Sequence, residues 1–184
     1  RTAMQESPDF ERQRAAGTRP EHPLRYTLTH HRKGIFRGFA ISALGSITYY
    51  VGITYVPAFL TSAGALGERA ALWLSTLAAV VVILVTPLVG LLCDRWGRKP
   101  VLIGLSLFSA ALPVTLFSLM ASGSELRALA GAVVLAAVAG GVSAVGAVAT
   151  AEQFPGEGRL SGLALGTTTA TAIFGGLTPW LAQV

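Results

Sequence analysis

Residues 70–100 read AALWLSTLAAVVVILVTPLVGLLCDRWGRKP. From Ala70 to Cys93 no acidic or basic side chain interrupts the run. Asp94, Arg95, Arg98 and Lys99 then arrive together. About 20 apolar residues in a helix cross the ~30 Å hydrocarbon layer of a bilayer. The stretch therefore predicts a transmembrane helix that ends in a charged turn. A buried helix of a large soluble protein is the competing reading, and the rest of the chain decides against it. Four more uncharged runs of spanning length follow the same rule: Gly38–Leu60, Val101–Ala121, Ala128–Ala151 and Leu160–Ala182.

Composition agrees. Of the 184 residues 52 % are hydrophobic and 12 % charged, against about 25 % charged in soluble proteins. The mean hydropathy is +0.60. So apolar a surface needs lipid to cover it, which excludes a soluble enzyme, a disordered chain and a disulfide-rich secreted module. The single cysteine, Cys93, allows no internal disulfide, and His22, His30 and His31 have no metal-ligand spacing. No metal and no cofactor are expected. The spans hold no nucleophile–base pair and no carboxylate pair, so the chain does not read as an enzyme. The expected fold class is an all-α membrane protein with five transmembrane helices.

The net charge of +5 would suit a nucleic-acid partner if it were spread over one surface. It is instead divided between the two sides of the predicted bundle. Eight of the 14 Lys and Arg lie between Arg1 and Arg37, three in residues 94–100 and one, Arg159, in residues 152–159. Only Arg69 and Arg127 fall on the other side. The positive-inside rule then places residues 1–34, 94–100 and 152–159 in the cytoplasm. The lipid bilayer is the implied partner, and nucleic acid is not needed. Residues 1–34 read as a polar segment broken by Pro8, Pro20 and Pro23, with a short helix over roughly 23–34 lying at the membrane surface. Residues 35–184 form the bundle.

The turn after the second run has a definite spacing: Gly90, Asp94, Arg95, Gly97, Arg98, Lys99, or G-x-x-x-D-R-x-G-R-K. Gly97 permits a tight reversal. Asp94 is an anion fixed at a helix end. The basic residues hold the turn on the cytoplasmic face. A generic basic loop would need the cations but not the Gly–Asp–Gly frame. Three further segments stand out: Glu6-Ser7-Pro8-Asp9-Phe10; Ala151-Glu152-Gln153-Phe154-Pro155 with Arg159, Ser161 and Gly162; and Phe174-Gly175-Gly176-Leu177-Thr178-Pro179.

In these four motifs, taken in order, the chain resembles the major facilitator superfamily, and within it the metabolite:proton symporters, which include the proline/betaine, oxoglutarate, citrate and shikimate permeases. The resemblance implies helices seven to eleven of twelve, preceded by the end of the central cytoplasmic loop. The six-helix first half and the twelfth helix would then be partners supplied by the same transporter. The odd number of spans, and a fifth run reaching the last residues without a polar flank, agree with a piece of something larger. The resemblance also makes Asp94 a latch to a helix of the other half, released during alternating access. Glu152 and Arg159 read either as part of that cytoplasmic locking or as an ordinary solvated pair.

Inside the spans the polar residues are few. Ser42, Ser46 and Tyr49 follow at helical spacing on the first span, with Tyr50 beside them. They read either as the wall of a substrate pathway or as packing and interfacial anchoring. Pro57 frees a backbone carbonyl near the outer end. The fourth run is rich in Gly and Ala, which fits close helix packing. Thr167, Thr168, Thr169 and Thr171 on the fifth are expected to bond back to the preceding turn. Gly175, Gly176 and Pro179 mark a weak outer end suited to gating. No ionisable residue sits mid-span, so a coupling site would lie elsewhere. The expected function is a secondary active transporter of a small polar metabolite, organic acid or osmolyte across the inner membrane, coupled to protons. The alternative is a transporter-like sensor or scaffold, or an inactive truncated product. Hydroxyls and aromatics suit betaines, carboxylates and sugars alike, so the substrate is not legible.

Overall fold

The computed structural model describes residues 8–17, 22–62, 67–122, 124–156 and 158–181. The motif segment at Glu6 and Ser7 lies outside the described residues. Nine α-helical segments follow: α1 Pro8–Ala15, α2 Pro23–His30, α3 Arg32–Tyr49, α4 Tyr55–Ser62, α5 Glu68–Trp96, α6 Arg98–Met120, α7 Glu125–Ala151, α8 Arg159–Leu163 and α9 Gly176–Leu181. A π-helical turn, Tyr50–Thr54, joins α3 to α4, and two more, Ala164–Thr168 and Thr171–Gly175, lie between α8 and α9. The described residues thus contain five helices long and apolar enough to cross a membrane, with mean hydropathies of 1.3 to 2.6. The first span is α3 with α4, the second to fourth are α5, α6 and α7, and the fifth runs from α8 to α9.

The helices extend past the apolar runs at the charged end. The separator at 94–100 shrinks to one residue, Gly97, because Asp94–Trp96 continue α5 and Arg98 opens α6. Gly97 sits at φ 85°, and its N–H closes the end of α5 on the Cys93 carbonyl at 2.9 Å. A side chain there would be strained, which is why glycine commonly follows a helix end. The predicted surface helix over 23–34 is also divided. It begins with Pro23 in its first turn, where the missing N–H costs nothing. It stops at His31, whose ψ of 30° is not helical, and α3 starts at Arg32.

α7 is the centre of the bundle. It packs against the first, second and third spans, while the fifth span packs against the first. Half of its most apolar stretch is buried, against 6 % for α6. Lipid offers no hydrophobic drive for helix association, so contact depends on close packing of small residues. The sequence supplies them. A Cβ on Gly140 would lie 3.2 Å from Val82 Cα of α5, and one on Gly52 would lie 3.1 Å from the Leu135 carbonyl oxygen of α7. Outside these seams the helices present Trp73, Leu72, Ile83, Leu107 and Val114, all mostly exposed, as a lipid-facing surface requires.

Apolar clusters hold the two ends. Val56, Leu60, Leu74, Met120, Ala128 and Leu135 close one, where the Phe59 and Phe117 rings meet edge to face at 4.9 Å. Val89, Val101 and Val145 close the other. At that second end Arg98 pairs with Glu152, Gly34 approaches the Gln153 carbonyl, and Gly158 lies against Thr27 and His31. The segments around Thr27–Gly34, Arg98 and Glu152–Gly158 therefore meet at one end of the bundle.

Replacing Gly52 by Val forces its side chain onto a backbone carbonyl that cannot rotate away. The expected cost is about 1–3 kcal/mol, read as a lower melting temperature of the purified protein in detergent. Gly45→Val, at a glycine with open space around it, is expected to leave the melting temperature unchanged.

Candidate functional site

The first, fourth and fifth spans enclose a groove of about 640 Å³. All four residues expected on a pathway, Ser42, Ser46, Tyr49 and Tyr50, line it. Sequence reasoning did not single out Ser143 and Thr150 of α7, nor place Thr167, Thr168 and Thr171 on the same wall. The Tyr49 and Tyr50 rings lie edge to face at 6.0 Å. Ser46 Oγ donates to Thr171 Oγ1 at 3.3 Å, joining the first span to the fifth. Among the described residues no Asp, Glu, Lys, Arg or His lines the groove.

The hydroxyls of the groove behave differently from those elsewhere. On α5 and α6 every serine and threonine, namely Ser75, Thr76, Thr86, Ser106, Ser109, Thr115 and Ser118, donates to a carbonyl three or four residues back, at 2.7–3.3 Å. This is how a hydroxyl is satisfied where no water is present. In the groove, Ser42, Ser46, Ser143, Thr150, Thr167, Thr168 and Thr171 make no such bond among the described residues. The expectation that the fifth-span threonines bond back to the preceding turn is therefore corrected for Thr167, Thr168, Thr169 and Thr171; Thr178, beyond the π-turns, does bond to the Phe174 carbonyl. The π-turns at Ala164–Thr168 and Thr171–Gly175 supply the reason. Their wider winding moves the carbonyls off the positions a back-bonded threonine uses. Thr167 Oγ1 is buried and has no hydrogen-bond partner among the described residues.

The same irregularity marks the outer ends. Proline lacks an N–H, and its ring clashes with the carbonyl four residues earlier. For Pro57 that carbonyl belongs to Ile53, inside the π-turn Tyr50–Thr54, where the Tyr55 N–H bonds to Tyr50 five residues back. On the fifth span the turn Thr171–Gly175 leads directly into α9, Gly176–Leu181. The two turns touch, since a Cβ on Gly175 would lie 2.8 Å from Tyr50 Cε2. Gly176 follows with open space around it. Pro87 and Pro113 sit inside α5 and α6, which run on as α-helix.

At the charged end, Asp94, Arg95 and Lys99 are exposed and make no ion pair among the described residues. Gly90, Asp94 and Arg98 border a small cleft of about 130 Å³ against α7. Glu152 pairs with Arg98, not with Arg159, whose Nε donates to the Phe154 carbonyl at 3.4 Å. The Arg98–Glu152 pair is about half exposed, so it contributes on the order of 1 kcal/mol or less. Among the described residues no group of three or more His, Cys, Asp or Glu could hold a metal ion.

The sequence profile of the Major Facilitator Superfamily matches residues 32–184. The chain belongs to this superfamily. It is similar to the alpha-ketoglutarate permease of Escherichia coli, 28 % identical over 156 residues that make up 84 % of this chain and 36 % of the relative. It is similar to the ectoine/proline transporter ProP of Corynebacterium glutamicum, 30 % identical over 85 % of this chain and 31 % of the relative. It is similar to the citrate-proton symporter of Klebsiella pneumoniae, 29 % identical over 83 % of this chain and 35 % of the relative. Their names match the kinds of permease that the four motifs indicate. The chain spans about a third of the length of these curated relatives. No solved structure matches it significantly. Five apolar helices in this superfamily make the chain a multi-pass protein of the inner membrane.

Removing a buried hydroxyl that has no partner removes a desolvation cost. Thr167→Val is therefore expected to hold or raise the melting temperature of this facilitator, by up to about 1–3 kcal/mol of stability. A clear fall on thermal unfolding would mean that the hydroxyl is satisfied in the folded protein.

Proposed function

We propose that this chain is the C-terminal part of a secondary active transporter that moves a small polar metabolite, an organic acid or an osmolyte by alternating access, coupled to protons. The observation that carries the reading is the groove between three apolar spans, whose largely apolar wall is set with hydroxyls and two tyrosines and, among the described residues, no charge. The five spans take the places of helices seven to eleven of twelve, and residues 1–34 end the central loop. The four motifs in order and the charge division support this register. Six further helices on the facing side and a twelfth complete the transporter; the relatives, about three times as long as the matched region, support that partnership.

In this reading the ends with most Lys and Arg face the cytoplasm, as the twelve-to-two division supports. Gly90, Asp94, Arg95, Gly97, Arg98 and Lys99 form the cytoplasmic latch. Arg98 ties it to Glu152 and so to the end of α7. Asp94, exposed and without an ion pair in this half, is left to meet the facing one. Pro57, Gly175, Gly176 and Pro179 act at the outer gate, where the touching π-turns let the ends of the first and fifth spans bend together. The spans carry no ionisable residue at mid-depth. A proton coupling site therefore belongs to the facing half.

Reconstitution of the natural full-length protein in vesicles tests the reading. Uptake of proline, citrate or alpha-ketoglutarate is expected to rise when an inward proton gradient is imposed. Uptake that ignores the gradient removes the symport claim. In the same vesicles Asp94→Asn is expected to change the transport rate while insertion stays normal; a sensor or scaffold has no transport to change.

A further inference from the structure

Between the first and fifth spans the hydroxyls are arranged as two facing ladders. Ser42 and Ser46 lie four residues apart on one helix, and Thr167 and Thr171 four apart on the other, so each pair shares a helical face. Residues four apart rise about 6 Å along a helix. Ser46 spends its proton on Thr171, whose own proton remains available. Thr168 and Thr171 are exposed to the groove, and Ser42 is half-buried opposite them. Hydroxyls on the second and third spans are consumed by their own helices; among the described residues those of Ser42, Ser46, Thr167, Thr168 and Thr171 are not.

We infer that Thr168, Thr171 and Ser42 form a charge-free hydrogen-bonding subsite that selects the cargo by an oxygen acceptor, a carboxylate or carbonyl group. The inference rests on the reading of the groove as the cargo path and names the side chains that discriminate there. Three donors without a countercharge recognise the position of an acceptor rather than its net charge. The subsite thus fixes orientation, and any countercharge for an ionic cargo comes from the facing half. The Tyr49 and Tyr50 rings line the same groove. A donor lost from such a site leaves the cargo oxygen without its partner, which weakens binding more than it slows the conformational cycle.

Initial-rate uptake of radiolabelled proline, citrate and alpha-ketoglutarate by vesicles holding the natural full-length protein tests this. Thr171→Val and Thr168→Val are expected to raise KM about tenfold for whichever compound the unmodified protein carries, with little change in maximal rate. Thr171→Ser, which keeps the hydroxyl, restores KM. Thr86→Val, which deletes a back-bonded hydroxyl on the second span, leaves KM as it was. Unchanged KM in both groove variants overturns the inference and leaves the transport reading standing. A matching fall in melting temperature that Thr171→Ser does not reverse gives the hydroxyls a structural role and also overturns it. Uptake of none of the three compounds by the unmodified protein overturns both readings.

Discussion

Everything in this bundle hangs on how closely other helices can approach α7. In lipid an apolar side chain gains little by meeting another apolar side chain, so helices associate where their surfaces fit. Glycine and alanine along α7 give it almost no side-chain relief. Val82 of α5 comes against Gly140, Leu105 of α6 against Gly141, and Gly52 of the first span reaches the carbonyl of Leu135. A helix with larger residues at these points would hold its neighbours a methyl group or more away. The apolar clusters at the two ends would then separate, and the groove between the first, fourth and fifth spans would lose its walls.

The groove is also where the second rule of a membrane interior, that polar groups be satisfied within the protein, is relaxed. Serines and threonines on α5 and α6 obey it by bonding to their own backbone. Those in the groove do not; the first and fifth spans, which carry five of them, are interrupted by π-turns, while α7, which carries Ser143 and Thr150, is not. Backbone irregularity at membrane depth is tolerated where it borders protein or a polar cavity, and these turns do both. The touching of Tyr50 and Gly175 couples the two interruptions, so the outer halves of the first and fifth spans share one weak point.

Much of this could be read before the structure. Five uncharged runs, each long enough to cross a bilayer, dictate five helices whatever their neighbours are. A glycine between Trp96 and Arg98 announces a reversal. Ser42, Ser46 and Tyr49 were legible as one face because helical spacing alone aligns them. Other features were not. The helices pass beyond the apolar runs because hydrogen bonding continues after hydrophobicity ends, and composition does not mark that limit. Glu152 meets Arg98 rather than Arg159 because α6 and α7 pack side by side, a relation between residues 54 positions apart.

The sequence by itself determined that the chain lives in a membrane, how many times it crosses, and how its basic residues divide, because length, hydropathy and charge are local properties that lipid and water act on directly. Only the tertiary structure decided which hydroxyls are free. A threonine on any apolar helix looks the same in sequence. Whether it bonds to its own backbone or faces a groove depends on the winding of that helix and on which helices stand opposite, and both follow from packing around α7.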